Sequence, residues 1–596
     1  MSNYTAPSED ILFTLYELAG MSDIAHLPGY KETTSDIVEA IVDQISSLAS
    51  EILAPLNQSG DQNGCSIVEG KVVAAEGFVD AYHAFTEAGW QSLSFDPERG
   101  GQGLPELIAI TSNEIWQSAN MAFALCPMLT EGSIVALEAH AIDSLKDLCL
   151  EKMISGEWTG TMNLTEPQAG SDLTAVKTRA VRKDDHYLIT GQKIFITWGD
   201  HNLSENIIHL ILARLPDAPP GIKGISLFLV PKYLINPDGT LAEQNDLYPV
   251  SIEHKLGIHA SPTCVMSYGD QGGAVGYLVG EENNGIACMF TMMNHARLTV
   301  GVQGLSISER AYQQALSYAK ERVQGTVTGQ KDRVTIIHHA DVRRMLMLMK
   351  AGTEAMRALC YVTAASLDYM KKEADASKQK YHDQRFALLT PVVKGWCTEL
   401  SQELTSLGLQ VHGGMGYIEE TGAAQHYRDA RITTIYEGTT GIQALDLVGR
   451  KIIQDNGRSM NSLFEDIKEV LQFIKGSNDE QLATIHKHLE NGLADLQSAT
   501  DWLLANYDKD IHIAGAVSFN FMMLMGTVCG GWQMARAAKI AAEKLATEVT
   551  ENESFYKTKV ITTTFYTEHV LTRSNSYLQA IKTGSDSIMN LDINNF

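Results

Sequence analysis

No arginine occurs before Arg99, and Met1 to Tyr30 is acidic and polar. The chain therefore shows neither an arginine-rich organelle leader nor the basic start and apolar core of a secretory signal, and cytoplasmic location is the expectation. Basic charge is scarce throughout: 46 Lys and Arg stand against 72 Asp and Glu, a formal net charge of -26. That balance argues against nucleic acid or an anionic membrane as the main partner, while leaving room for an anionic ligand in a local basic pocket. The eight cysteines are scattered without a CxxC pair. Neither a zinc site nor a disulfide framework is suggested, and a reducing compartment fits. His338 with His339, and His486 with His488, lack the i, i+4 spacing of a helical metal site, so no metal is expected. The glycine-rich stretch Phe95 to Leu104, FDPERGGQGL, has neither GxGxxG spacing nor a GK[ST] ending and reads as a turn between helices. One long window, Ile511 to Ala535, is free of Asp, Glu, Lys and Arg. Its Ser518, Asn520, Gln533 and four glycines mark it as a buried core or subunit-contact helix rather than a membrane span.

What is present divides the 596 residues into four parts, in line with about 150 residues per domain. Residues 1–160 read as helices, with apolar stripes at Ile11, Leu12, Leu15, Leu18 and at Ile37, Ile41, Ile45. Residues 161–283 carry short β-rich runs at Tyr187 to Thr190, Lys193 to Thr197, Ile207 to Ala213, Ile225 to Val230 and Val275 to Val279: a small, mostly antiparallel β domain. Helical period resumes over 284–455, including a methionine-rich stripe at Val342, Met345, Leu346 and Met349 that reads as packing. Residues 456–596 form a helical extension that starts with Leu463, Ile467, Val470 and Ile474 on one face.

Three stretches carry candidate chemistry. In RITTIYEGTTGIQALDLVGRK, Arg431 to Lys451, Glu437 precedes a helix whose apolar positions are Ile442, Leu445, Val448 and Ile452. It is either a helix-start acid favoured by the helix dipole or a general base. In TMNLTEPQAGSDLT, Thr161 to Thr174, glycine allows close backbone approach, and hydroxyls and amides can meet a heterocycle's polar edge or a phosphate. Asp172 reads as ordering its own loop. In KIFITWGD, Lys193 to Asp200, Phe195 and Thr197 share one side of a strand and can flank a planar ring.

Together these segments resemble the acyl-CoA dehydrogenase family. The motifs are TEPQAGSD at Thr165 to Asp172, KIFIT at Lys193 to Thr197, KLGIHASPT at Lys255 to Thr263, the segment Arg297 to Arg322, QVHGGMGY at Gln410 to Tyr417 and IYEGTTGIQ at Ile435 to Gln443. The resemblance implies an α+β fold: an N-terminal helical domain, a β-barrel-like middle domain, a C-terminal helical bundle and, as in the family's larger subgroup, an extra C-terminal helical domain. It implies Glu437 as base, since the positions of the alternative base are here His295 and Ala296. FAD would be held by Leu164, Thr165, Gly170, Ser171, Phe195 and Thr197. Across a subunit interface Arg322 and Gln324, joined by Gln410 and Gly414, would meet its pyrophosphate and adenine end, with Thr439 near the base. Ser171, Arg297, Tyr436, Glu437 and Gly438 would meet the acyl-CoA, Arg297 at its adenine portion.

The implied reaction is α,β-dehydrogenation of an acyl-CoA to a trans-2-enoyl-CoA, with hydride passing to flavin N5 and an electron-transferring flavoprotein as acceptor. A thioester α-hydrogen is too weakly acidic for an unaided carboxylate, so donors to the carbonyl are required: the Glu437 N–H and a flavin ribityl hydroxyl. Burial against ligand is expected to raise the Glu437 pKa toward neutrality. The substrate is expected to be 3-methylmercaptopropionyl-CoA or a medium or long-chain fatty acyl-CoA, with pocket depth set around Trp116, Phe123 and Leu298. An oxygen-using acyl-CoA oxidase and a non-catalytic flavoprotein scaffold are the rivals. A homodimer is expected, with the extension closing its interface. The chain departs from the family at Phe195, where Trp is common, at Gly441, where Glu is common, at His259, where Arg is frequent, and in lacking an aromatic between Gln324 and Gly325.

Overall fold

The structure, a computed structural model, describes residues 4–547 and 552–596. Packing divides the chain into two compact units: residues 43–299, and residues 1–42 with 300–596.

The first unit pairs buried helices with a sheet. Helices Glu106–Ala119 and Met121–His140 are buried on nearly every side. Their weak amphipathicity follows, because no face meets water. The strands are β1 (Ser66–Val68), β2 (Lys71–Val73), β3 (Trp158–Asn163), β4 (Arg179–Lys183), β5 (His186–Thr197), β6 (Asn206–Arg214), β7 (Ile225–Pro231), β8 (Tyr233–Ile235), β9 (Leu241–Gln244), β10 (Leu247–Ile252), β11 (Thr263–Tyr268) and β12 (Ala274–Val279). The main sheet runs β10-β11-β5-β12-β7-β6-β3. β4 pairs with β5 and touches β6 at Arg179 and Arg214, closing β4-β5-β12-β7-β6 into a ring. The barrel-like expectation is met in this way. β6 is buried from Asn206 to Ala213, which accounts for its apolar run, interrupted by His209, whose Nδ1 meets the Thr161 hydroxyl at 2.6 Å.

The two strands read at Tyr187 to Thr190 and Lys193 to Thr197 are one strand, β5. It changes partner at Gly191, pairing with β12 before it and with β11 from it onward. Gly191 has φ +154°, and a Cβ there would lie 2.6 Å from the Thr178 hydroxyl oxygen. Glycine thus permits the bend.

In the second unit Ile11, Leu15 and Leu18 of the N-terminal stripe are buried as expected, while Leu12 is half-buried. In helix Ser35–Leu48 the buried line is Val38, Val42 and Ile45, with Ile37 at 41% exposure. The sequence offers two overlapping apolar lines there, and packing selects the one shifted by a residue. The helices Ala340–Lys372, Ala376–His412 and Ile513–Thr547 pack together, and Met345, Leu346 and Met349 are core. The charge-free window falls in helix Ile513–Thr547 apart from the exposed Ile511 and His512, and its stretch from Phe521 to Ala535 is core to this unit. A Cβ on Gly526 would lie 2.1 Å from the Trp396 ring, and one on Gly395 would lie 2.2 Å from Met522 Sδ. Missing side chains on both helices therefore let large ones interlock. Among the described residues this helix and Met121–His140 are long and apolar enough to cross a membrane, and both are largely buried by protein.

Candidate active site

The first group of site residues is fixed by a buried ion pair. Thr165 O accepts from Ile194 N at 2.9 Å, and Leu164 O from Lys193 Nζ at 3.1 Å, so the TEP loop lies along β5. The Glu166 carboxylate accepts from Lys193 Nζ at 2.8 Å, the Thr178 hydroxyl at 2.6 Å, and the amides of Lys177 and Thr178 at 2.7 and 3.0 Å. Burial would raise its pKa, but the Lys193 charge and these hydrogen bonds overrule it and hold the group at about 2. Glu166 is thus a permanent anion that anchors the loop.

Strict alternation would put Lys193 on the same face as Phe195 and Thr197. A bulge between the pairs Met266–Lys193 and Cys264–Ile196 takes up the extra residue. Lys193 consequently turns inward, to 0% exposure, and Phe195 outward, to 59%. Phe195 has φ +59°, a left-handed conformation unusual for an aromatic residue. Thr197 is half-buried on the same outer side, while Gly170 and Ser171 are exposed at the loop tip. A Cβ on Gly170 would meet nothing within 4 Å, so the backbone there is open to a ligand. Asp172 accepts from Thr174 N at 2.9 Å and orders its loop.

The second group surrounds Glu437, which has φ +54° and is half-buried. The N-cap of helix Thr440–Leu445 is Thr439, whose hydroxyl oxygen accepts from Ile442 N at 3.3 Å, and no acid occupies the first turn. Glu437 therefore lies two residues ahead of the cap, outside the helix's first turn. Gln443, fully buried, donates from Nε2 to the carbonyls of Glu437 and Gly438 at 3.2 and 3.3 Å. Gly438 has φ +88°, and a Cβ there would lie 2.6 Å from that amide nitrogen. Lys394 donates to Thr433 O at 2.8 Å and Thr440 to Glu399 at 2.5 Å, which fastens the turn to helix Ala376–His412. The Tyr436 hydroxyl donates to Gln303; burial and the Glu437 charge push its pKa far up, so it remains a neutral phenol. Beyond Leu445 the helix widens into a π turn, Asp446–Ile453. The extra residue per turn rotates Leu445 to 44% exposure while Val448 and Ile452 stay buried.

The remaining expected contacts are spread over other surfaces. Arg322 and Gln324 are exposed on a short extended segment, where Gln324 N donates to Val334 O at 3.0 Å. Gln410 and Gly414 are exposed at the end of helix Ala376–His412. Tyr318 stacks on His412 at 4.5 Å, joining that end to the last turns of helix Gly285–Glu321. Arg297, expected at the adenine portion of the acyl-CoA, is 4% exposed, its guanidinium 6.0 Å from the Phe290 ring. His259 gains an explanation, since it pairs with Asp61 at 2.8 Å and meets Lys255 O at 2.9 Å, tying its loop to helix Pro55–Asn63.

The sequence reading missed Glu131. This carboxylate is 6% exposed and 3.5 Å from His295, beside the position of the alternative base. It accepts from Asn113 Nδ2 at 3.3 Å, and Asn113 Oδ1 accepts from Trp116 Nε1 at 3.1 Å. A small cavity is lined by Trp90, Gln91, Phe95, Ala109, Glu131 and His295. Trp116, Phe123 and Leu298 are all fully buried, and Trp116 and Phe123 both pack edge-on to Phe85, with centroids 5.0 and 5.8 Å away.

Residues 161–270 match the profile described as acyl-CoA dehydrogenase, middle domain; 283–453 match acyl-CoA dehydrogenase, C-terminal domain; and 463–592 match acetyl-CoA dehydrogenase C-terminal like. Over 593 residues the chain is 46% identical to a 3-methylmercaptopropionyl-CoA dehydrogenase of Ruegeria pomeroyi, covering 98% of this chain and 99% of that one. The chain belongs to the acyl-CoA dehydrogenase family. A second member of this family, a broad-specificity linear acyl-CoA dehydrogenase of Mycobacterium tuberculosis, is 35% identical, with 99% of both chains covered. An acyl-CoA dehydrogenase complexed with FAD from Bacillus anthracis shares the fold, with a TM-score of 0.73 at 21% identity over 94% of this chain and 90% of that one. The fold is thus acyl-CoA dehydrogenase-like, and the protein is an oxidoreductase that acts on an acyl-CoA.

Proposed function

We propose that this acyl-CoA dehydrogenase converts 3-methylmercaptopropionyl-CoA to its trans-2-enoyl thioester, with FAD as cofactor and Glu437 as base. The substrate reading rests on the full-length likeness to the Ruegeria pomeroyi enzyme. A linear fatty acyl-CoA is the second reading, favoured by the likeness to the broad-specificity Mycobacterium tuberculosis enzyme.

The single observation that carries the role of Glu437 is its half-buried carboxylate on a left-handed backbone that the buried Gln443 amide restrains. Backbone strain of this kind persists only where the surroundings impose it, and it gathers at reactive positions. The Glu437 carboxylate removes the α-proton, while its own peptide N–H donates to the thioester carbonyl oxygen, where enolate charge develops. The exposed Phe195 ring, Thr197 and the open backbone at Gly170 and Ser171 fit a flat heterocycle with a polar edge, and Leu164 and Thr165 complete that wall. FAD, when bound, supplies the acceptor for the β-hydrogen at its N5. Arg322, Gln324, Gln410 and Gly414, all exposed, serve the dinucleotide's far end from a second subunit of a homodimer, and Thr439 its near end. A cytoplasmic electron-transferring flavoprotein takes the electrons onward.

The test is an anaerobic titration of the purified protein with 3-methylmercaptopropionyl-CoA and straight-chain acyl-CoAs, followed at the oxidised-flavin band. Bleaching by the methylthio substrate at the lowest concentration supports the reading. Preferential bleaching by a long chain replaces the substrate, peroxide formed in air without another acceptor makes the protein an oxidase, and a yellow protein bleached by none makes it a scaffold.

A further inference from the structure

Helix Gly285–Glu321 carries a buried amide amid apolar side chains. Gln303 is 0% exposed, and Val300, Val302 and Leu305 around it are buried as completely. A methionine would fill the position without the cost of taking an amide out of water, so the amide calls for a partner. Tyr436 is that partner, its phenol O–H donating to Gln303 Oε1. Tyr436 precedes Glu437, and Gln443 holds the same turn from the other side, through the carbonyls of Glu437 and Gly438. A buried glutamine thus restrains the turn on each flank of Glu437.

The position of Gln303 is itself fixed. A Cβ on Gly301 would lie 2.9 Å from Val393 O, and one on Gly304 would lie 2.7 Å from Cys397 O, so on both sides of Gln303 the helix meets the backbone of helix Ala376–His412. That second helix also fastens the Glu437 turn, through Lys394 to Thr433 O and Glu399 to the Thr440 hydroxyl. One close crossing therefore sets the Gln303 oxygen against Tyr436. The charges of Glu437 and of Asp429, on helix Ala423–Ala430, both act on the phenol. A carboxylate is a stronger acceptor than a neutral amide, yet the hydrogen goes to the amide. Of the other charged groups near the turn, Arg431 engages Thr434 and Asp446 engages Arg450, while helix Gly285–Glu321 brings no charge between Leu298 and Ser308. A phenol that donated to Glu437 would stabilise the carboxylate as an anion and weaken it as a base.

We propose, resting on Glu437 as base, that Gln303 is a positioning residue: its amide oxygen takes the Tyr436 hydrogen, fixing the side chain next to the base and withholding that hydrogen from the Glu437 carboxylate. Stopped-flow flavin reduction of the full-length, flavin-loaded protein tests this across pH, with 3-methylmercaptopropionyl-CoA as probe and butyryl-CoA as second probe. Gln303→Met keeps the volume and removes the acceptor. Its plateau rate should fall at least about tenfold and the acid limb of its profile should move down by about one pH unit, with KM changed less than about threefold. Tyr436→Phe should leave the limb in place, and adding it to Gln303→Met should bring the limb back. An amide that only packs would leave the limb where it is and let the two substitutions add. In urea unfolding of the same variants the midpoint losses should also fail to add, since both substitutions cut one hydrogen bond. Circular dichroism checks the fold, and Gln303→Leu takes the place of a methionine variant that does not fold. An unmoved limb in the folded Gln303 variant, a shift that persists in the pair, or additive midpoint losses would each overturn the proposal. Glu437→Gln, measured alongside, separates the two readings. Reduction at the parent rate there removes the base assignment itself, whereas its loss there, with an unmoved limb in Gln303→Met, removes only the role of Gln303.

Discussion

Two carboxylates stand at the centre of the two site segments, and they are treated in opposite ways. Glu166 is 3% exposed and surrounded by Lys193, Thr178 and two peptide amides, so its charge is fixed and its reactivity spent. Glu437 is half-buried, and the restraint falls on its backbone, through the Gln443 amide and the left-handed φ of +54°. A carboxylate clamped at its oxygens builds structure. One held at its peptide is, in the proposed function, the base.

The sharpest way to break this contrast is Glu437→Gln, for which the rate of flavin reduction by substrate should fall about 10³-fold or more, within the range of general-base effects. Glu131→Gln should leave that rate within about tenfold of the parent; if it cost more than Glu437→Gln, the base would have been misassigned. Lys193→Ala should destabilise the unit of residues 43–299 by about 3–5 kcal/mol in urea unfolding, because it leaves the Glu166 charge buried alone. A Glu166→Leu, Lys193→Met double variant should recover most of that loss. The acid limb follows with its sign. Glu166 is held at about 2 against an ordinary 4.5, so its contribution is complete above pH 4.5 and drains away as pH falls toward 2. The loss amounts to about 3 kcal/mol, and Glu166→Gln should flatten that part of the profile. Phe195→Gly relieves the left-handed strain, so stability should hold or rise by up to about 1 kcal/mol. Flavin retention should weaken about tenfold as one stacking face is lost. Gln443→Ala has the smallest expected effect, about 1 kcal/mol of stability, with kcat reduced more than KM is changed.

The helices, the β domain and the order of the site motifs were legible because they follow local period and short fixed spacings. What escaped was whatever depends on an insertion or on a distant partner. The bulge at Phe195 changes the parity of β5, and nothing in KIFIT signals that Lys193 turns in to meet Glu166 across 27 positions. The π turn after Leu445 likewise moves a residue that a 3.6 period would bury. Val38 and Val42 were hidden behind the equally apolar Ile37 and Ile41, a choice made only by what packs against them. Glu131 carried no signal at all, since its neighbours His295 and Asn113 lie far away in the sequence.

The interlocking of Trp396 with Gly526 carries a consequence for synthesis. A ribosome delivers the helix that bears Trp396 well before the one that covers it. Until translation passes Gly526, the nascent chain holds a large indole and the wall around Gly395 open to water, a natural target for a holding chaperone. A stop codon or a prolonged pause between Asp455 and Ile513 should therefore yield an aggregating fragment rather than a smaller working enzyme. What reads as an appendix in the gene is the last piece needed to close the core.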